Sequence, residues 1–357
     1  MNRTKLRGPF MVSIDLTYTC NFSCRHCFNG SGEHDFREEL SDEMLYNLSK
    51  DIGKLKPTVV CLCGGETLLR KDIAIKIAKN IKTFSEGQTI VNMVTNGYLL
   101  DENMAKEIAE ADFGTIQLSL DGVDAETHEW LRRKKGSFEK VLKGIRLLKN
   151  SGVSVGIAFT PHKKNMNQLD NVYELCKREG VSELRIQPLM KLGRASESFP
   201  KEIFPSYWDY FEFTRKIIKY KYENMDKPTH IDWGDPIDHL LRFSEKNFGV
   251  NPSIIINAYG DITISAYIPI SFGSILKYPI SKYWDSGLDR VWEAKCIQEI
   301  AKSIGTPSDM DTKKLSLPQN YYEMNVSYDI LEKGCKRLFE FSSLSEFVDE
   351  VSKDEQQ

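Results

Sequence analysis

Cys20, Cys24 and Cys27 fall within the run CNFSCRHC, and their type and spacing point most directly to chemistry. Thiolates this close can converge on one cubane iron-sulfur cluster, each binding one iron and leaving the fourth iron without a protein ligand. An open metal position marks a catalytic site rather than a closed structural one. The same residues admit a second reading, a zinc site completed by His26 or His34, although structural zinc more usually shows paired Cys-x-x-Cys spacing. The remaining cysteines, Cys61, Cys63, Cys176, Cys296 and Cys335, are dispersed. Cys61 and Cys63 alternate on a strand-like run and so share one face, which reads as strand core, and Cys176 falls in a helical run.

The elements that must position the triplet are βα repeats. Short apolar or β-branched runs start at Phe10, Thr58, Thr89, Gly114, Val153 and Ser182 and alternate with segments of helical period. Ser41-Asp-Glu-Met supplies an N-cap and an acidic first turn before Met44, Leu45, Leu48, Ile52 and Leu55, and further helices are expected from near Lys71, Asp101, Ser137 and Asn167. The expected fold class is α/β. Six such units make a partial (β/α)6 TIM-like barrel, open on one side, with the thiols in the loop at the carboxyl end of its first strand. A smaller α+β extension follows: an aromatic helix within Phe204 to Tyr222, a hairpin in SIIINAYGDITISAYI, a helix in LDRVWEAKCIQEIAKSI and a last helix near Ser342 to Val351. We expect a core over residues 8–195, a helical connection over 196–250 and a C-terminal region over 251–357.

Composition narrows the class further. The chain has 357 residues, 41% hydrophobic and 28% charged, with net charge -3, which disfavours a disordered chain or a basic nucleic-acid-coating protein. Eight cysteines are too few for a disulfide scaffold of this length. With no apolar run that could span a bilayer or serve as a signal peptide, we expect a cytoplasmic protein with reduced thiols and neither nucleic-acid nor membrane partners.

The order of motifs then resembles the radical S-adenosylmethionine (SAM) superfamily. CxxxCxxC is followed by Gly64-Gly65-Glu66 after the second strand, Thr95-Asn96-Gly97 after the third and Ser119-Leu120-Asp121-Gly122 after the fourth. The resemblance implies that Cys20, Cys24 and Cys27 ligate one 4Fe-4S cluster whose free iron is chelated by SAM. It places His26 beside the adenine, and Gly64, Gly65 and Glu66 at the methionine end. Ser119 and Asp121 would meet the ribose, Arg132 the cofactor carboxylate, and Asn96 and Leu189 further contacts. An external one-electron donor such as flavodoxin or ferredoxin is then the implied partner, and a 5'-deoxyadenosyl radical that abstracts a substrate hydrogen atom the implied mechanism.

The segments HEWLRRKKGSF and QPLMKLGRA resemble the peptide- and protein-modifying branch, whose SPASM-like C-terminal domain carries auxiliary clusters. Here Asn251 and Ser265-Ala266 stand where cysteines are expected, and no cysteine lies between Cys176 and Cys296. A single cluster is therefore expected, with a peptide substrate undergoing crosslink, thioether or epimer formation. A small-molecule or tetrapyrrole precursor is the alternative. Cys296 and Cys335 are carried as candidate hydrogen-atom donors.

Overall fold

The computed structural model describes residues 7–32, 37–234, 240, 253–306, 309 and 326–354. Its strands in chain order are β1 (Met11–Asp15), β2 (Val59–Cys63), β3 (Ile90–Thr95), β4 (Thr115–Ser119), β5 (Ser154–Phe159), β6 (Glu183–Ile186), β7 (His230–Trp233), β8 (Ser253–Ile256), β9 (Asp261–Thr263), β10 (Ile270–Ser274) and β11 (Val326–Ser327). Helices α1 (Asp42–Leu55), α2 (Lys71–Phe84), α3 (Glu102–Glu110), α4 (Ala125–Arg132), α5 (Ser137–Asn150) and α6 (Leu169–Arg178) separate the first six strands. The start of α1 follows its sequence signal: the Ser41 side chain accepts from the Met44 amide, and Leu45, Leu48, Ile52 and Leu55 are buried.

One sheet holds all the strands, in the order β11-β10-β9-β8-β1-β2-β3-β4-β5-β6-β7. Two strands beyond the expected six extend the parallel array. β7 runs parallel to β6, and β8 runs parallel to β1 on the opposite side. The array stays open, since β7 ends the sheet and β8 pairs onward with β9. Val60, Leu62, Ile116, Leu118, Val155 and Ile157 alternate outward into the core under the helices. Their neighbours Cys61, Cys63 and Gln117 face the concave side.

The expected hairpin forms between β8 and β9, with Ile255 opposite Thr263, but its second arm stops at Thr263. The helix expected over LDRVWEAKCIQEIAKSI is split, because Ala294 is extended between a 3-10 turn at Leu288–Glu293 and a helix at Lys295–Ser303. The Gln298 side chain bonds the carbonyls of Trp292 and Glu293, so the break leaves those groups satisfied. The C-terminal hairpin buttresses the segment after the cysteines. Arg37 makes a two-pronged bond to Asp261, the Leu40 amide donates to the Ala258 carbonyl, and Tyr18 meets Tyr259 edge-on at 5.2 Å. Among the described residues no helix is long and apolar enough to cross a membrane.

Candidate active site

The thiol loop leaves β1 at Asp15 and is clamped from several strand ends. Glu39 holds its first turn, accepting from the Thr17 hydroxyl and the Tyr18 amide at 2.6 Å each. The end of β2 zips onto the same turn, the Gly65 amide donating to Thr17 and the Glu66 amide to Thr19. A Cβ built on Gly64 would lie 2.3 Å from the Thr17 oxygen, and one on Gly65 2.3 Å from the Thr19 oxygen. The glycines thus let two backbones close on each other.

Glu66 is fully buried and ties β2 to β3. It accepts from the Thr95 hydroxyl at 2.5 Å, the Asn96 amide at 2.8 Å and the Leu68 amide at 3.0 Å. Burial pushes its carboxyl above the usual range, against these hydrogen bonds. Asn96 passes the contact on, donating from its side chain to Asn21 at 2.7 Å. On the other flank Arg25 reaches the end of α4, donating to the Trp130 carbonyl and lying 5.0 Å from the Trp130 ring centroid.

Arg194, the arginine of QPLMKLGRA, wraps the loop from outside, a role that the sequence reading does not assign to it. On the short helix α7 (Arg194–Ser198), it is 3% exposed and donates to the carbonyls of Cys24, Gly30 and Ser31 at 2.6–2.8 Å. Asn29 is a second residue that sequence reading does not single out. It accepts from the Cys27 thiol at 3.0 Å and donates to the Gly64 carbonyl at 3.3 Å, so it joins the loop to the Gly-Gly turn.

Cys24 is buried and Cys20 and Cys27 partly so, and burial pushes the thiols up, Cys20 to about 12 and Cys24 to about 11. Cys20 also feels the charge of Cys24 and Cys27, and Cys24 that of Cys27, while Arg132, donating to the Cys24 sulfur at 3.9 Å, acts in the opposite direction on Cys24. Thiols held this way must lose protons when they take up metal.

Arg132 and Asp121 pair with each other. The Arg132 Nε donates to Asp121 at 2.6 Å, and the other Asp121 oxygen accepts from the Thr160 amide at 2.8 Å. Asp121 is fully buried; burial alone would raise its carboxyl, but Arg132 holds it below the usual range. Around this pair stand three histidines. Burial lowers His26 to about 3 and His128 and His162 to about 4, so all are neutral near pH 7. His26 Nδ1, His128 Nε2 and His162 Nε2 are buried without a hydrogen-bond partner, as is Asn21 Nδ2.

The structure brings Cys20, Cys24, Cys27, His26, Gly64, Gly65, Glu66, Asn96, Asp121 and Arg132 into this one network. Ser119 lies buried at the end of β4. Leu189 packs with Leu131, Ala195 and Phe199, and its carbonyl accepts from the Tyr210 hydroxyl. Cys296 and Cys335 are not brought to it. Cys296 is fully buried in the C-terminal part of the core, and the Cys335 thiol faces the Gly287 carbonyl at 3.6 Å. Both sit in short helices of the C-terminal region, Lys295–Ser303 and Cys335–Leu338. His34 and Asn251 lie outside the described residues.

Sequence reading treats Cys61 and Cys63 as core. Instead both are only partly buried on the concave face, with their sulfurs 3.3 Å apart and Asp15 opposite Cys63. Burial raises the Asp15 carboxyl to about 7, against its bond from the Tyr18 hydroxyl. A cavity of about 830 Å³, lined by Met166, Trp208, Glu212, Arg215 and Lys219 among others, contains none of the predicted site residues.

The Radical SAM superfamily model matches residues 14–176, which contain the whole thiol loop and the strand ends that clamp it. These residues are a radical SAM domain. Its family uses a 4Fe-4S cluster and SAM. Pre-heme d1 synthase of Dinoroseobacter shibae is 33% identical over 188 residues, 53% of this chain and 45% of that protein. AdoMet-dependent heme synthase of Methanosarcina barkeri is 26% identical over 302 residues, covering 78% of this chain and 83% of the relative. Sporulation killing factor maturation protein SkfB of Bacillus subtilis is 27% identical over 300 residues, covering 83% and 69%. Against the first two curated relatives the chain spans about half their length. Streptococcus suis SuiB bound to S-adenosylmethionine shares the fold, with TM-score 0.64 at 13% identity over 85% of this chain and 76% of that one.

The residues of the radical SAM domain fit the family's cofactors. Three thiols supply soft donors for iron, and unpartnered His26 Nδ1 and Asn21 Nδ2 lie in the same loop. Among the described residues no three His, Cys, Asp or Glu side chains are grouped to hold a single metal ion.

Proposed function

We propose that this chain is a radical SAM enzyme in which Cys20, Cys24 and Cys27 hold one cluster and the substrate is a ribosomally made peptide. The observation that carries the reading is the convergence of the three thiols with the Glu66, Asn96 and Arg132-Asp121 clamps on one loop. When bound on these three thiolates, a reduced cluster would supply one electron to the sulfonium of SAM, whose carbon-sulfur bond would then break to leave methionine and a 5'-deoxyadenosyl group able to take a hydrogen atom from the substrate. The protein's part is positional. Glu39, Arg194 and Asn29 fix the backbone on which the thiols are presented. Arg132, held by Asp121, keeps a positive charge beside the Cys24 sulfur, which favours the thiolate. The neutral histidines wall the pocket without adding charge. An external one-electron reductant completes the cycle, and the region after β8 acts as a cover that carries no second cluster.

The concave face supports a peptide. Strands β1 to β8 contain a single cation, Arg185, whereas Ser13, Asp15 and Gln117 offer neutral or acidic hydrogen-bonding groups. A tetrapyrrole bearing several carboxylates calls for several cations, while a peptide's amides are satisfied by such side chains. SkfB, whose similarity covers most of this chain, is named for maturation of a killing factor. The heme synthase of comparable coverage favours the second reading, a tetrapyrrole substrate. The test is incubation of reconstituted, reduced protein and SAM with candidate precursor peptides and, separately, porphyrins. Peptide losing two hydrogens, or gaining solvent deuterium at constant composition, is the expected result. Unchanged peptide with consumed porphyrin contradicts it.

A further inference from the structure

We infer that the basic turn between α4 and α5 is the docking surface for an acidic one-electron carrier protein. The inference rests on the proposed function, in which one electron must reach the thiol loop while SAM and substrate occupy the concave side. Between Arg133 and Lys143 stand five cations, Arg133, Lys134, Lys135, Lys140 and Lys143, against one carboxylate, Glu139. This local positive excess belongs to a chain whose net charge is -3. Arg133 ends α4 in the left-handed region, with φ 53°, and Gly136 precedes α5 with φ 77°, so Lys134 and Lys135 form the turn. Lys135, Lys140 and Lys143 are exposed, the last two one turn apart on α5. Among the described residues no ion pair engages Lys134, Lys135, Lys140 or Lys143.

The patch is fastened to the thiol loop. The amide of Arg25, which lies between Cys24 and Cys27, donates to the Leu131 carbonyl at 2.9 Å. Phe22, between Cys20 and Cys24, is buried and meets Tyr98 edge-on at 5.5 Å. The Lys134 ammonium lies 5.9 Å from the Phe22 ring centroid and 5.1 Å from that of Tyr98, and the Lys140 ammonium 5.6 Å from Tyr98. The rings attract these cations without cancelling their charge. A positive surface therefore lies one aromatic side chain away from the segment that presents the thiols. It is on the helix side of the sheet, since α5 sends Phe138, Val141, Ile145 and Leu148 into the core. An acidic carrier is steered to such a patch by long-range attraction, and a few lysines suffice because electron-transfer encounters bury little area, below about 1,200 Å².

Calorimetric titration of an acidic flavodoxin into the full reconstituted chain at low salt tests the surface, with 5'-deoxyadenosine measured in parallel under either reduced flavodoxin or dithionite. Thermal melts check that each variant is folded. Lys135→Glu/Lys140→Glu is expected to weaken flavodoxin binding by about tenfold or more and to slow flavodoxin-driven turnover at limiting carrier, while dithionite-driven turnover stays at the wild-type rate. Lys135→Arg/Lys140→Arg should bind like wild type. So should Lys76→Glu/Lys79→Glu, which makes the same charge change at exposed positions of α2. The difference between wild type and the turn reversal should fade above about 0.5 M salt, where screening reaches only a few Å. A wild type that does not bind flavodoxin, a turn reversal that binds as tightly as wild type, or an α2 reversal that weakens binding as much overturns the inference. An equal loss of turnover under dithionite overturns it too, and would place the patch in binding an acidic peptide instead. No product from wild type under dithionite contradicts the proposed function, and the binding titration still decides the docking surface.

Discussion

Replacing Arg132 with methionine is expected to lower unfolding free energy at pH 7 by about 3–5 kcal/mol, because it strands a fully buried carboxylate. Asp121 would retain only the Thr160 amide at one oxygen. The pH dependence distinguishes this cause from lost packing. In the native protein Arg132 holds the Asp121 carboxyl below its usual range. The pair's contribution is therefore fully present above about pH 4 and is lost as pH falls through the lower native value. In the variant the unpaired carboxyl shifts upward, so the deficit relative to wild type should shrink as pH drops toward about 4. Denaturant titrations at several pH values check this. A deficit constant across pH would place the loss in packing instead. The Asp121→Asn/Arg132→Met double variant should recover part of the deficit at pH 7.

Gly64→Ala is the second large effect. Its φ of 128° disfavours any side chain, and the added carbon would sit 2.3 Å from the Thr17 oxygen and 3.2 Å from two backbone nitrogens. Only backbone can move, so the Gly65-Thr17 and Glu66-Thr19 bonds must open. We expect a loss of about 3 kcal/mol or more, together with poor retention of iron after reconstitution. Gly87→Ala is the control: its φ is 73° with nothing within 4 Å of the added carbon, and about 1 kcal/mol is expected. Equal losses at the two positions would mean that the clash with the thiol loop is relieved by other shifts.

Much of the barrel is legible because each of the first six parallel strands is a short apolar run and the helices between them carry a cap or a clear stripe. β7 escaped because His230–Trp233 is a four-residue run with alternating polar groups. The parallel docking of β8 escaped because a hairpin signal describes its pairing with β9 and says nothing of β1. In the site, motif order located the thiols and the residues at the strand ends. It did not show that Asp121 and Arg132 engage each other, since they are eleven residues apart across a loop and a helix. Nor could it show that Glu66 spends its oxygens on Thr95, Asn96 and Leu68. Arg194 and Asn29 act through backbone carbonyls and a thiol brought close only by folding, so composition carries no trace of them. Cys61 and Cys63 were misjudged because strand alternation gives a shared face but not which face, and here that face is the concave one.

The central claim, that the three loop thiols together support SAM cleavage, is tested most directly by anaerobic reconstitution of wild type and the triple Cys20→Ala, Cys24→Ala, Cys27→Ala variant, followed by quantifying 5'-deoxyadenosine under a one-electron reductant. The account predicts iron-dependent product from wild type and none above background from the triple variant, whose melting should confirm that it is folded. Product from the folded triple variant at the wild-type rate, or none from iron-loaded wild type, would contradict it.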